Sequence, residues 1–494
     1  MNINTSDGFR VGIGAVGAYV PMMRLQRKAI EAGVAWAVPG VKALAKGERS
    51  VANWDEDSVT MAVEAARDCL TGIDRGCISR VALASTTLPF SDRSNSGIIK
   101  DALNLSEDIS NSDMSGSRRA GTTALIDMLN SNVTYNNSLL LVSDCREAKP
   151  GSNQEMLYGH GAAALLLEQD NPVAIPVATA SLHRDLVDQY RYSKSDYDYP
   201  QEERWVRVEG YLKIVPDVVQ QALAKAGIRS AEVNHFILPC AASIAKQVAS
   251  KMRLENAEIA DPLISAVGDC GTAHSFLMLA QVLKKARCGE TILLVGFGQG
   301  ADALIFRVTE SISSYQSNTR ISEIIHGGRK TDNYVRYLVI RNQLLLDFGA
   351  RSERDNRTAL SAYYRKRDVI TGFNGGRCGK CGALQFPKTV ACVICREFDT
   401  QSSESLAELT GSVKSFTEDW LGYTPSPPLM YGNITFPGGG NVMMEFADFA
   451  TGEVEAGMDV RMSFRIKDYD SRRDFRRYFW KAVPQRITGD KTDG

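Results

Sequence analysis

One short pattern occurs twice in this chain, and that repeat limits what it can fold into more than any other feature. In the first half, Gly121-Thr122-Thr123-Ala124-Leu125 opens a helical stretch and the apolar run Leu139–Val142 follows. Gly159-His160-Gly161-Ala162 then leads into a second apolar run. In the second half, Gly271-Thr272 opens a helical stretch, Ile292–Val295 follows, and Gly298-Gln299-Gly300-Ala301 leads into Ala303–Phe306. A helix, a strand, a Gly-x-Gly-Ala turn and a strand, repeated in order, predict a duplicated βα unit. Its glycines suit tight turns and close backbone approaches.

The wider pattern agrees. Strand-like runs at Val11–Gly17, Arg80–Ser85, Ser138–Val142, Ala162–Leu167, His235–Leu238, Thr291–Val295 and Ala303–Val308 alternate with helical patterns. The helices are expected at Ser58–Leu70, Gly121–Leu129, Val215–Ala226 and Ala273–Ala286. Such alternation predicts a layered α/β domain with buried strands. At 494 residues the chain is too long for one core. A net charge of −1 gives no global sign of nucleic-acid or anionic-membrane binding. No apolar run approaches the roughly 20 residues of a membrane helix, and Met1–Arg10 lacks the apolar segment of a signal peptide. Six of the ten cysteines are scattered (Cys69, Cys77, Cys145, Cys240, Cys270, Cys288), which points to a reducing, cytoplasmic setting.

The other four cysteines form two knuckles, Cys378-x2-Cys381 and Cys392-x2-Cys395. Two such turns can supply a tetrahedron of sulfur ligands, so the spacing predicts a zinc ribbon with Zn2+ held by Cys378, Cys381, Cys392 and Cys395. With every position filled by protein, the site is expected to be structural. Residues 309–370 change character, from Ser/Asn-rich sequence to the arginine-rich stretch 351–367, and read as a linker with one or two surface helices. From about 408 to 485, short β-type runs punctuated by Pro425, Pro427, Pro428 and Gly438-Gly439-Gly440 predict a small all-β barrel. The expected divisions are 1–310, 311–370, 371–402 and 403–488.

Several segments resemble the thiolase superfamily, and most of all 3-hydroxy-3-methylglutaryl-CoA (HMG-CoA) synthase. They are Val11–Pro21, Ser115–Leu125, Ser143-Asp144-Cys145-Arg146, Gly159–Ala164 and Gly296–Ala301. The resemblance covers roughly 8–308. The tail, about 350–485, resembles acyl-CoA-associated proteins that join a rubredoxin-like zinc ribbon to an OB fold. These resemblances imply a five-layered αβαβα domain, usually dimeric, acting on acyl-CoA thioesters, followed by a zinc ribbon and an OB-fold barrel. They also imply a further thiolase-like or hydratase-like subunit as partner, and no nucleic acid or membrane.

The family's reactive groups transfer poorly. Its Cys-x-Ala-Gly-Thr motif falls on Arg118-Arg119-Ala120-Gly121-Thr122, so Arg118 stands where the nucleophile is expected, with Ser117 one place away. Its His-x-Pro falls on Ile237-Leu238-Pro239, and His235 would share a strand face with Ile237. Its Glu-Ser-x-Pro falls near Thr86-Thr87-Leu88-Pro89, and its Gly-Asn on Gly268-Asp269. The expected chemistry is therefore carbon–carbon bond making or breaking beside a CoA thioester without the usual cysteine, by an aldol, retro-aldol or synthase-like route. A silent acyl-CoA-binding or scaffold subunit is one alternative, and a Claisen-type acyltransferase with a displaced nucleophile such as Cys270 is another.

An aldol step needs a base for the hydroxyl proton and a stabiliser for the enolate. His274, at a helix start in the second half's counterpart of the nucleophile loop, and the nearby Asp269 are candidates. So are His160, in the first Gly-x-Gly turn, and Tyr158 beside it. Each has a structural alternative as a buried hydrogen-bonding group. Arg118 and Arg119 are candidates for CoA phosphate or substrate carboxylate, since a guanidinium suits bidentate anion binding. Their alternative is a salt bridge.

Overall fold

The computed structural model describes residues 9–131, 137–192, 195–352 and 359–485. Most of the polar Met1–Arg10 stretch and part of the arginine-rich 351–367 stretch lie outside these residues.

Ten strands form the main sheet system. The first half contributes β1 (Gly12–Tyr19), β2 (Ile78–Ala84), β3 (Ser110–Met114), β4 (Asn137–Asp144) and β5 (Gly161–Glu168). The second contributes β6 (Ala174–His183), β7 (His235–Ile237), β8 (Glu258–Ile259), β9 (Thr291–Phe297) and β10 (Gly300–Val308). Their order is β8-β7-β9-β10-β6-β1-β5-β4-β2-β3. Each half therefore reads third-second-fourth-fifth-first. The pairing senses match too: the second strand is parallel to the third and fourth, while fourth–fifth and fifth–first are antiparallel. The repeat in the sequence is a duplicated fold, and the halves meet at Ile13–Ala174.

Side-chain alternation along the strands sorts the core into layers. Leu139 and Leu141 of β4 pack outward with helix α1 (Ser58–Cys69), whereas Leu140 and Val142 face inward with α2 (Ala120–Leu129) and α4 (His274–Leu283). In the second half, Ile292 and Leu294 join that central layer, while Leu293 and Val295 pack outward with α3 (Val215–Ala226). Helix α4 is buried nearly all round, as a helix between two sheets must be. At Gly121 an added methyl would lie 2.7 Å from the Phe276 ring, so glycine is what lets α2 and α4 touch. Helix, sheet, helix pair, sheet, helix is a five-layered thiolase-like α/β body.

Strands β3, β6 and β8 go beyond the sequence expectation. The segment expected to be a linker also differs. Among the described residues it holds short helices from Ile312–Asn318 to Arg367–Ile370. Its strand Arg329–Thr331 pairs in parallel with Met23–Gln26. Tyr337 and Ile340 are buried against Val41, Val51 and Met156. Apolar positions hidden among polar neighbours tie 329–341 into the α/β body.

Eight strands form the C-terminal unit: β11 (Asn374–Cys378), β12 (Leu384–Gln385), β13 (Gln401–Ser405), β14 (Gly411–Asp419), β15 (Leu429–Phe436), β16 (Gly439–Glu445), β17 (Asp459–Asp470) and β18 (Phe475–Pro484). Strand β14 pairs with both β15 and β17, and a parallel bridge between Phe446 and Ala482 curls the sheet back on itself. Strands β11–β13 attach to β16 through Leu384 and Gly439.

The unit grips the N-terminus of α1. Asp57 caps that helix through the N–H groups of Val59 and Thr60, and its other oxygen accepts from Tyr478 at 2.8 Å and Arg476 at 3.0 Å. Arg465, fully buried, pairs with Glu56 at 2.7 Å and Asp448 at 2.5 Å and donates to the Tyr19 hydroxyl. Lys481 bridges Asp55 and Glu445, each at 3.0 Å.

Candidate functional site

The turns of the two halves clasp each other. Tyr158 and Asp269 form a parallel backbone bridge, with Gly159 N–H donating to Asp269 O at 2.9 Å and Asp269 N–H to Leu157 O at 2.7 Å. Only glycine permits this approach. A methyl on Gly159 would collide with Val267 O at 1.9 Å, and Gly268 has φ +82°.

Arg118, entering α2 from the first half, forms an ion pair with Asp269 of the second. Burial works against the Asp269 charge, but Arg118, His274 and Arg146 hold its carboxyl below the usual range. Burial likewise opposes the Arg118 charge, and Asp269 outweighs it. Beside this pair, Tyr158 donates to Asp198 at 2.9 Å. Asp198 also receives Arg146 at 2.6 Å and Arg191 at 3.1 Å. The Arg146 guanidinium lies 5.2 Å from the centre of the Tyr158 ring. Burial pushes the Tyr158 phenol up, so it is a neutral donor. Sequence reasoning named Arg118, Asp269 and Tyr158, and the fold brings those three together. It missed Asp198 and Arg191, which carry no local signal. Arg146 stood in the Ser-Asp-Cys-Arg segment but was not singled out.

The remaining candidates lie elsewhere or are tied down. Arg119 turns away from Arg118, pairing with buried Asp302 at 2.7 Å and donating to Gly298 O at 3.0 Å. Both ring nitrogens of buried His274 meet backbone: Nδ1 accepts from Cys270 N–H at 3.2 Å, and Nε2 faces Pro262 O at 2.7 Å. His160 is bound in the same way, with Nδ1 accepting from Ala52 N–H at 2.8 Å and Nε2 facing Arg146 O at 3.1 Å. Burial pushes both imidazoles below their ordinary value. His235 sits apart, bonded to Glu290 at 2.7 Å. Thr86 donates to the buried carboxylate of Asp144.

The chain does hold a cysteine close to the cluster, Cys145. It is buried, 3.6 Å from His160 Nδ1, and accepts from Arg341 at 3.2 Å. Burial pushes its thiol up to about 12 despite the pull of Arg341. Burial also raises the Cys270 thiol. Ser117 lies one turn-residue from Arg118, and its Oγ accepts from Arg119 N–H at 3.3 Å.

Cys378, Cys381, Cys392 and Cys395 converge, with all four sulfurs within 4.8 Å of one another. The Cys378–Cys395 and Cys381–Cys392 separations are 3.7 and 3.6 Å. These are far beyond a disulfide bond but match the edge of about 3.8 Å expected for four thiolates around a tetrahedral ion with about 2.3 Å bonds. The four thiols could hold a metal ion.

The fold and the clasp between its halves define a thiolase-like domain. Residues 223–308 match the C-terminal family of 3-oxoacyl-(acyl-carrier-protein) synthase III. The chain is 29% identical over 348 residues to the hydroxymethylglutaryl-CoA synthase of Archaeoglobus fulgidus, spanning 68% of this chain and 99% of that protein. It is 26% identical over 352 residues to the hydroxymethylglutaryl-CoA synthase of Pyrobaculum aerophilum, spanning 68% and 99%. In three dimensions it is similar to MvaS in complex with 3-hydroxy-3-methylglutaryl coenzyme A, with a TM-score of 0.59, 16% identity and coverage of 71% and 94%. The 3-oxoacyl-(acyl-carrier-protein) synthase III of Aquifex aeolicus follows the same fold, with a TM-score of 0.53, 20% identity and coverage of 60% and 99%. These sequence matches reach beyond the expected 1–310 span, in keeping with the packing of 329–341. Among the described residues no helix is long and apolar enough to cross a membrane.

Proposed function

We propose that this chain is an acyl-CoA enzyme that makes or breaks a carbon–carbon bond next to the thioester, without carrying the acyl group on a cysteine. Similarity to HMG-CoA synthases supports the substrate class. The observation that carries the mechanism is the Arg118–Asp269 ion pair. A guanidinium stays protonated and cannot act as an acyl carrier, while an ionised carboxylate beside it can take a proton.

In the cleavage direction, Asp269 accepts the proton of a 3-hydroxyl group. The C2–C3 bond breaks, C3 becomes a carbonyl, and the electron pair passes to the thioester as an enolate. Arg118 stabilises that enolate oxygen, and C2 is then protonated, with Tyr158 as the neutral donor at hand. Condensation is the reverse. His274 and His160 hold the clasp in shape as positioning residues, because both nitrogens of each are used by the backbone. Arg118 also serves as the anion-binding group, and Arg119 fixes the α2 entrance.

Two further readings have their own support. A self-neutralised Arg118–Asp269 pair is also what a silent acyl-CoA-binding or scaffold subunit would carry. Cys145, near His160, is the thiol a displaced-nucleophile acyltransferase would use, although burial holds it protonated. For the C-terminal unit we infer a zinc ribbon, supported by the sulfur geometry, and an OB-type barrel. The barrel reading is supported by the two-sided pairing of β14 and the parallel closure between Phe446 and Ala482.

The test offers the purified chain a panel of 3-hydroxyacyl-CoAs, follows release of aldehyde or ketone, and measures intact mass after acyl-CoA exposure. Carbonyl release without a covalent adduct supports the main reading. Acyl mass on Cys145 overturns it in favour of the acyltransferase. Inactivity with the whole panel, alone and with a thiolase partner, leaves the scaffold.

A further inference from the structure

Just ahead of α3, the nine residues Val206–Ile214 wind as a π-helix. Val215 N–H donates to Gly210 O, five residues back. Pro216 has no N–H to offer Leu212 O in a regular α-helix, and Lys251 Nζ bonds that oxygen at 2.6 Å instead. Winding of this kind is rare and is found mostly at functional sites.

The wide turn lays Gly210 and Tyr211 against the end of β9. A methyl on Gly210 would lie 2.5 Å from the Phe297 ring, and the Tyr211 ring packs on that ring at 4.3 Å between centres. The next residue, Gly298, touches the entrance of α2, where a methyl on it would lie 3.2 Å from Arg118 N. Phe297 and Gly298 thus carry the Tyr211 ring to the side of Arg118. Burial raises the Tyr211 phenol most; Cys240, Asp188 and Asp269 add to this and Arg118 opposes it, so the phenol keeps its proton. Its hydroxyl has no hydrogen-bond partner among the described residues, whereas Tyr158 already donates to Asp198. Arg118 and Asp269 keep 19% and 18% of their side chains exposed, and Tyr211 is part-exposed too.

We propose that Tyr211 is a further catalytic residue whose hydroxyl donates to the thioester oxygen beside Arg118. This deepens the acyl-CoA reading above and rests on it. The bond strengthens as that oxygen takes on enolate charge, so it favours the transition state over the bound substrate. An uncommitted neutral donor next to a guanidinium spreads the enolate charge without adding a second cation to a partly buried site.

Tyr211→Phe keeps a ring on Phe297 and deletes only the donor. Calorimetric titration into the full chain compares acetyl-CoA with S-ethyl-CoA, the thioether that lacks the carbonyl oxygen. The parent should bind the thioester more tightly. The variant should lose about three- to tenfold of that preference while unfolding as the parent does. On a 3-hydroxyacyl-CoA that the chain cleaves, its kcat should fall roughly a hundredfold with KM little moved. A preference that survives in the variant, an unchanged kcat, or a parent that binds both probes alike overturns the Tyr211 assignment and leaves the acyl-CoA reading standing. A parent that binds neither probe sinks that reading and the assignment with it. Loss of the preference in a chain that turns over no acyl-CoA keeps Tyr211 at the thioester oxygen and sinks the carbon–carbon chemistry.

Discussion

Arg118 and Asp269, 151 residues apart, join the matching loops of the two halves in one mostly buried ion pair. Each is the other's principal compensation, so removing one leaves an uncompensated charge in a low-dielectric setting. Arg118→Ala should therefore cost about 3–5 kcal/mol. The double variant with Asp269→Ala should cost clearly less than the sum of the two single ones. Urea denaturation of the parent, both single variants and the double variant gives the coupling. Strict additivity would mean that the pair does not hold the clasp.

At the other junction, Arg465 answers Glu56 and Asp448 while donating to Tyr19. Arg465→Met keeps much of the volume and loses the charge. We expect a loss of at least about 3 kcal/mol and early proteolytic release of the C-terminal unit. Unchanged thermal unfolding and proteolysis would show that the junction is held by apolar packing alone.

Glu56 gives that junction a pH dependence. Burial, opposed by Arg465, pushes its carboxyl from 4.5 up to about 7. A raised folded-state value means the protonated form is favoured in the native protein. The corresponding stability is fully present below pH 4.5 and is lost as pH rises through about 7. Glu56→Gln cannot ionise, so it should gain on the parent across this window, by at most about 3 kcal/mol. Denaturation midpoints of both proteins at steps from pH 4.5 to 8 test the sign; a gap that stays constant, or moves the other way, rejects it.

The duplicated body was legible because its strands are apolar runs such as Leu139–Val142, and a Gly-x-Gly-Ala turn follows the corresponding run in each half. Strand β3 was not, because Ser110-Asn111-Ser112-Asp113-Met114 lies on a sheet edge, where burial does not select apolar residues. The candidate site divided along similar lines. Arg118 and Asp269 sit in loops whose glycine signatures align the halves, so position alone exposed them. Asp198 sits in a Tyr- and Asp-rich loop with no periodicity, and only the fold brings it to Tyr158 and Arg146. His274 and His160 attracted notice as titratable groups at turns. Sequence could not show that backbone atoms occupy both nitrogens of each ring.

Thiol reactivity separates the readings of Cys145. With its thiol pushed up to about 12, only about one molecule in ten thousand is thiolate at pH 8. Iodoacetamide at that pH should label exposed Cys288 first and spare Cys145 and buried Cys270 in the folded chain. Peptide mapping by mass spectrometry reports the order. Rapid labelling of Cys145 would mean an activated nucleophile and would favour the acyltransferase reading.

The four-cysteine cluster makes the last prediction. Its sulfurs fit a tetrahedral ion, and a structural metal contributes directly to the folding of the segment that binds it. Strands β11, β12 and β13 pair with one another, and β12 meets β16 at Leu384–Gly439, so it is the two cysteine turns between them that depend most on the ion. The purified chain should contain one zinc per molecule, and Cys392→Ser should lose it. In that variant, hydrogen exchange should accelerate across 374–405 while the central strand 139–142 stays protected, since no cysteine of the cluster touches the α/β core. Full protection of 374–405 in metal-free protein would show that the strands are self-sufficient and that the sulfurs meet for another reason.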